Sequence, residues 1–422
     1  RPPTVSIANM KRNQKKFRRK HSTALQNYDD GSRLLENVLN RKGDDTKKHV
    51  LIIDDLLPAS SRGSGFSRAA DIVKRILDSG DLVTLFLNGE QSTDTQDGQW
   101  LRESNCDIRY ARHQSLAELL AEIGATVDAI WVARTHNIAS NLPLLEQWKQ
   151  RFPHKRLIGD TEVLDSVRRL TFLNGGKKVS FDDNVQNAVI GELGEISFFD
   201  QLLAVNKYEA DILENTFDGK VPTGVLGHVF QPEENAISLP FESRLDFCFL
   251  GAIYNADSPN ADSLGWFCNH VLPLIKKDLD DANFVVAGRI AKGIELPKAV
   301  TDSAQMLGGV PSVEDYLADK RVFVAPTRYA GGIPHKVQHA MASGIPCVIT
   351  EVLANQMPNN FKNAPFVVAE ADPESFAKAC VELYTNETLW EETRRSGLKY
   401  ISKYCNDEIF TEVLLKAYKA GV

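Results

Sequence analysis

An α/β fold with two parallel sheets is what this sequence predicts, on three observations. Short apolar runs such as His49–Ile53, Ala129–Ala133 and Leu245–Leu250 alternate with stretches of helical period from residue 48 onward. Glycine-bearing and polar loops recur where a strand hands over to a helix, which is the punctuation of β–α units. The alternation pauses at the polar, proline-containing run 228–244 and then begins again. The expected organisation is a basic extension or linker (1–45), a first Rossmann-like half (46–227), a second (228–405) and a last helix (406–422).

The first half opens with strand His49–Ile53 and a helix whose apolar stripe is Ile72, Val73, Ile76 and Leu77. Gly63 and Gly65 sit in the turn between them, where nucleotide-binding folds place phosphates. The spacing is not G-x-G-x-x-G, so a dinucleotide cofactor is unsupported. The turn reads equally as structural or as a ligand loop. Strand Leu82–Leu87, a helix near 96–104, strand Asp107–Tyr110 and helix 115–124 follow. Strand Ala129–Ala133 ends in Arg134-Thr135-His136-Asn137. A histidine just past a strand's carboxyl end faces the crevice of an open sheet and can orient a hydroxyl or relay a proton. It reads as readily as an exposed loop residue. Helix 141–151 and strand Arg156–Gly159 come next, with Asp160 as N-cap of a helix holding Asp165 and Arg168. Residues 173–195 read as a loop. Strand Leu202–Val205, a helix near 209–215 and strand Thr223–Leu226 complete the half.

The second half restarts with strand Leu245–Leu250, loop 251–262, helix 263–279, and strand Asn283–Ala287 running into Gly288-Arg289. After a short strand at 306–310, Ser312 and Asp315 have capping-box spacing for helix 313–318. The stretch 321–357 is the most informative in the chain. Strand Val322–Ala325 opens into a loop with Arg328, Gly331, Gly332, Ile333 and Pro334; a helix with Val337, Ala340 and Met341 on one face follows, and Gly344 stops it. Such a turn aims free backbone N–H groups at an anion, and glycines let a ligand approach the backbone. Arg328 and Lys336 bracket it and could neutralise a diphosphate. The same residues also suit an ordinary crossover with two solvated cations. Strand 366–369, the cap Asp372-Pro373 and helices 373–385, 388–403 and 407–420 end the chain.

Composition narrows the classes. At 43% hydrophobic and 25% charged, the 422 residues suffice for two or three packed domains. The net charge of −7 argues against a general nucleic-acid binder. Residues 1–50 hold 13 Lys and Arg against 5 Asp and Glu, so the remainder carries −15. The basic cluster Lys11–Lys20 is either a solvated helix face or a contact for anionic lipid, making residues 11–20 the expected point of any peripheral membrane contact. Six scattered cysteines without C-x-x-C spacing predict buried free thiols and a reducing, cytoplasmic setting. No apolar run reaches the roughly 18–20 residues of a membrane span, and no signal-peptide pattern opens the chain. Arg1 suggests a piece of a longer protein. Walker A, H-E-x-x-H, G-x-S-x-G and EF-hand patterns are absent, and adjacent pairs such as Asp54-Asp55 make poor metal chelates.

The run APTRYAGGIPHKVQHAMASGIPCVIT resembles the nucleotide-sugar motif of family 4 glycosyltransferases, retaining enzymes built from two Rossmann-like domains across a cleft (the GT-B fold). The resemblance extends upstream through the second half. It implies transfer of a sugar from a nucleoside-diphosphate sugar to a hydroxyl of a glycan or lipid-linked glycan, in lipopolysaccharide O-antigen or related surface polysaccharide synthesis. It also implies no metal and no cofactor beyond the donor, with cytoplasmic work at the inner membrane. His136 would border the acceptor. Arg289, Arg328 and Lys336 would face the donor phosphates, with Gly63, Gly65, Gly331, Gly332, Ile333, Pro334 and His339 around the nucleotide sugar. The last helix would cross back to the first domain. The family places two glutamates, separated by seven residues, where this chain has Gly331 and His339; a histidine cannot grip two ribose hydroxyls as a carboxylate does. A catalytically silent module, binding glycan or a partner transferase domain, is therefore a rival reading, and a nucleotide-sugar 2-epimerase a third. Asn13, Phe17, Lys20, His21 and Leu25 resemble the closing helix of family 2 transferase domains, implying such a domain upstream in the same polypeptide.

Overall fold

The computed structural model describes residues 47–59, 65–89, 96–104, 106–175, 177–232, 239–357 and 364–419. Gly63, the cluster at 11–20 and the rest of the expected extension lie outside them. Two all-parallel sheets are present. The first has seven strands in the order β3-β2-β1-β4-β5-β6-β7, from β1 (His49–Asp54), β2 (Leu82–Leu87), β3 (Asp107–Tyr110), β4 (Ala129–Ala133), β5 (Arg156–Asp160), β6 (Gln201–Ala204) and β7 (Thr223–Val225). The second has six in the order β10-β9-β8-β11-β12-β13, from β8 (Leu245–Leu250), β9 (Phe284–Ala287), β10 (Gln305–Gly308), β11 (Lys320–Ala325), β12 (Cys347–Thr350) and β13 (Val367–Ala369). The central strands are apolar on both faces because helices cover both.

In the first domain, one face of the sheet packs α1 (Phe66–Asp78) and α2 (Gln96–Glu103). The other packs α3 (Leu116–Ile123), α4 (Thr135–Arg151), α5 (Asp165–Leu173), α6 (Asp183–Leu193) and α7 (Lys207–Thr216). The second domain carries α8 (Pro259–Trp266), joined through a π-helical turn to α9 (Leu272–Asp278). Then come α10 (Lys298–Ser303), α11 (Val313–Leu317), α12 (His335–Ala342), α13 (Glu351–Ala354), α14 (Pro373–Thr385) and α15 (Glu387–Tyr404). The final helix α16 (Asp407–Lys419) leaves this domain and lays Phe410, Leu414, Ala417 and Tyr418 into the core beside α1 and β5 of the first.

Several local expectations are corrected. Asp160 is no helix cap: it is the last residue of β5, fully buried, and α5 starts only at Asp165 with Leu164 as its N-cap residue. Residues 183–193 are not loop but helix, capped by Asp182 and burying Val185, Val189 and Leu193 at a spacing of four. Helix α4 begins directly after β4, so His136 lies in its first turn rather than in a loop. The helix starts six residues before the expected 141 and carries Pro143 inside it. Helix α8 begins at Pro259 behind its cap Ser258, four residues before the expected start. At Ser312 the hydroxyl accepts from the Asp315 N–H at 2.9 Å as its spacing suggests. All six cysteines are buried free thiols.

The buried carboxylate of Asp160 is held by the guanidinium of Arg68 through two bonds of 2.8 and 3.0 Å and by the Trp131 indole at 3.1 Å. Arg68 also donates to the carbonyls of Leu226 and Gly227, where the chain leaves the first domain. Removing one partner leaves the other charge buried and unpaired. Arg68→Ala is therefore expected to destabilise the first domain by about 3–5 kcal/mol, read as a lower urea midpoint.

Candidate functional site

Open α/β sheets bind ligands where the strand order reverses, because helices leave to opposite faces there and a crevice opens at the carboxyl ends. In the first sheet that point lies between β1 and β4, in the second between β8 and β11. The two carboxyl edges approach each other through the glycine turn after β11: a Cβ on Gly332 would lie 3.5 Å from the Glu162 carbonyl, and Ser67 Oγ is 3.4 Å from His335 Nε2.

The first crevice is densely charged. Arg134, following β4 with φ +74°, donates to Asp54 Oδ1 at 2.7 Å and reaches Glu162 Oε2 at 2.8 Å, its guanidinium over the Phe66 ring. Glu162 itself has φ +55°. Two such backbones at adjacent strand ends store strain. Burial lifts Glu162 to about 7 against the pull of Arg134, and burial also raises Asp54. Gly65 caps α1 at φ +82°, and the Glu162 carboxylate lies 2.6 Å from where its Cβ would be, so a side chain there would strain the backbone and displace Glu162. His136, largely exposed, has Nε2 at 2.9 Å from both oxygens of Asp55. Asn137 donates to Asp55 Oδ1 at 3.1 Å. His136 thus lies on this crevice, oriented by a carboxylate.

The second crevice holds the cations. Arg328 makes a two-pronged pair with Asp262, its Nε at 3.0 Å. Lys336, in the first turn of α12, turns its ammonium onto Asn260 Oδ1 at 2.5 Å and over the Phe249 ring; desolvation lowers it to about 7. Both cations bond to the start of α8, just past the loop after β8. There a cavity of about 1010 Å³ is lined by residues of that loop, Trp266, Arg328 and Tyr329, and by Arg168, Arg169 and Phe172 of the first domain. Arg289 is exposed, has no ion pair among the described residues, and lays its stem over Gly309. Gly288 is obligatory: a Cβ would fall 2.0 Å from the Gly251 carbonyl.

The glycine turn departs from expectation. Gly332, at φ +74°, donates its N–H to Glu209 Oε1 at 2.6 Å and accepts from Asn206 Nδ2 at 2.6 Å, both first-domain side chains. Gly331 packs against Val163 and Arg168. The Gly332 N–H is therefore engaged rather than open to a phosphate. Ile333 and Pro334 form the bend into α12, where the Ile333 carbonyl accepts from the His335 N–H at 2.8 Å. His339 sits with Nε2 3.2 Å from Glu314 Oε1 and its ring against Phe230. Glu314 thereby brings a carboxylate to the His339 ring. Arg134, Glu162, Glu209 and Asn260 were missed because each acts through a distant partner; for the first two, the signal is a positive φ that sequence does not reveal.

Residues 244–386 match the family described as Glycosyl transferases group 1. Among solved structures the chain is similar to the sucrose-phosphate synthase of Thermosynechococcus elongatus (TM-score 0.64, 12% identity, 88% of this chain and 98% of that one). It is also similar to Anabaena HepE in complex with UDP and glucose (TM-score 0.61, 12%, 88% and 100%). A third is the trehalose-6-phosphate structure from E. coli bound with UDP-2-fluoro glucose (TM-score 0.58, 9%, 89% and 100%). No curated protein sequence matches the chain. At these identities the likeness establishes the fold: two Rossmann-like domains in the GT-B arrangement of glycosyltransferases.

Burial raises Glu209 to about 7 while the N–H groups of Gly332 and Leu164 pull it down. A carboxyl raised in the folded state contributes stability below its unfolded value near 4.5 and loses it as pH climbs through 7. The wild-type chain should therefore lose up to about 3 kcal/mol at this site between pH 4.5 and 7.5. Glu209→Gln should flatten that slope when thermal midpoints are compared across the range.

Proposed function

We propose that the chain transfers a glycosyl group from a nucleoside-diphosphate sugar to a hydroxyl of a bacterial surface glycan, with retention and without a metal or other cofactor. The observation that carries this reading is Arg328 on the wall of a cavity at the β8/β11 reversal, closed from across by the first domain, with the buried Lys336 bonded to Asn260 of the same wall. The sugar's anomeric carbon exchanges its bond to the diphosphate for one to the acceptor oxygen. Charge then develops on the departing phosphate, where fixed cations stabilise it. The acceptor's proton leaves toward the first crevice, where His136 and Asp55 offer a base pair. Glu314, next to His339, supplies the carboxylate for the donor ribose. The match of residues 244–386 and the UDP-binding structural neighbours support the same reading.

One observation favours the silent module. The Glu209 carboxylate occupies the Gly332 N–H that a phosphate would use, so this closed form already holds an anion surrogate. Calorimetry with UDP, GDP and dTDP separates the two: binding of one of them supports the transferase, and absence of all three at millimolar levels sinks it. Where transfer or donor hydrolysis is measured, Arg328→Ala and Lys336→Ala should each lower kcat by about 10²–10³. Glu314→Gln should mainly weaken donor binding.

A further inference from the structure

We propose that the hairpin joining α5 to α6 is a docking surface for an anionic lipid bilayer. The end of α5 and the turn after it present Phe172 at 56%, Leu173 at 78% and Phe181 at 40% exposure, three exposed large apolar side chains close together in sequence. Four cations lie among them, Arg168, Arg169, Lys177 and Lys178, with Asp165 before them and Asp182 and Asp183 directly after Phe181, a net charge of +1 over residues 165–183. Asp165 pairs with both arginines and Lys178 lies over the Tyr208 ring. Lys177 is exposed and has no ion pair among the described residues. Apolar tips ringed by lysine and arginine fit the bilayer boundary, where rings and aliphatic chains enter the acyl region and cations meet anionic headgroups.

Beyond the basic residues 1–50, charge distribution favours this face. The chain beyond residue 50 carries a net −15, so anionic lipid repels most of its surface and leaves a local basic, apolar tip as the point of approach. The same element borders the cavity: Arg168, Arg169 and Phe172 line it, and the Phe172 ring meets Tyr329 of the second domain at 4.6 Å between centroids. A docked hairpin therefore holds the mouth of the cavity at the membrane surface. Resting on the transferase reading, this makes a lipid-anchored acceptor the accessible substrate class; the docking itself stands independently of that reading.

Flotation of the full chain with vesicles tests it, comparing phosphatidylcholine alone with phosphatidylcholine containing about one-third phosphatidylglycerol. Partitioning should be about tenfold greater on the anionic vesicles and should fall as salt rises. Leu173→Ser with Phe181→Ser, and separately Lys177→Glu with Lys178→Glu, should each remove most of that gain while circular dichroism and the thermal midpoint stay unchanged. No flotation of the wild-type chain overturns the proposal. So does flotation of both double variants at wild-type levels, which would assign the contact to another segment such as Lys11–Lys20. Vesicle binding is read without donor or acceptor, so its failure is distinct from failure of the nucleotide titration above.

Discussion

The contact on which the interdomain geometry depends is a single glycine held on both its backbone groups. Gly332 gives its N–H to Glu209 and takes a bond from Asn206, while Asn206 also caps α7 by accepting from the Glu209 N–H. A carboxylate this deeply buried needs donors, and it finds them in Gly332 and Leu164, one in each domain. The positive φ at 332 suits glycine. Through this clasp the glycine turn after β11 joins the two halves, its N–H taken by a side chain of the first domain.

The two crevices are complementary in charge. The first gathers carboxyls, with Asp54, Asp55 and Glu162 around one arginine. The second gathers Arg328 and Lys336, the first of them ion-paired to Asp262. An anion is favoured by the second, and a proton by the first. Burial brings two of these groups, Glu162 and Lys336, to about 7, where protonation changes at neutral pH.

Much of this architecture was legible in the chain. Strands such as Leu82–Leu87 and Leu245–Leu250 fall where continuous apolar runs place them, because a parallel sheet covered on both faces tolerates little else in its centre. Helix α6 escaped because its first turns are polar and its glycine-rich approach resembles a loop; only Asp182 and the apolar spacing of four betrayed it. Asp160 misled because an aspartate before a helix usually caps it, whereas here a buried arginine 92 residues away claimed it. The cations and glycines of the second crevice were readable from local spacing. Their partners were not, since Asn206 and Glu209 lie more than a hundred residues earlier and carry no motif.

The chain passes between the domains twice, once after Gly227 and again between α15 and α16, and these passages touch: the Phe230 N–H donates to the Cys405 carbonyl at 2.8 Å. Two straps fastened side by side define one axis. Relative motion of the halves is thereby restricted to swinging about that line, as a door does on paired hinges, while sliding and free tumbling are suppressed. Opening would part Gly332 from Glu209 and, when the door swings shut, return the same faces to register.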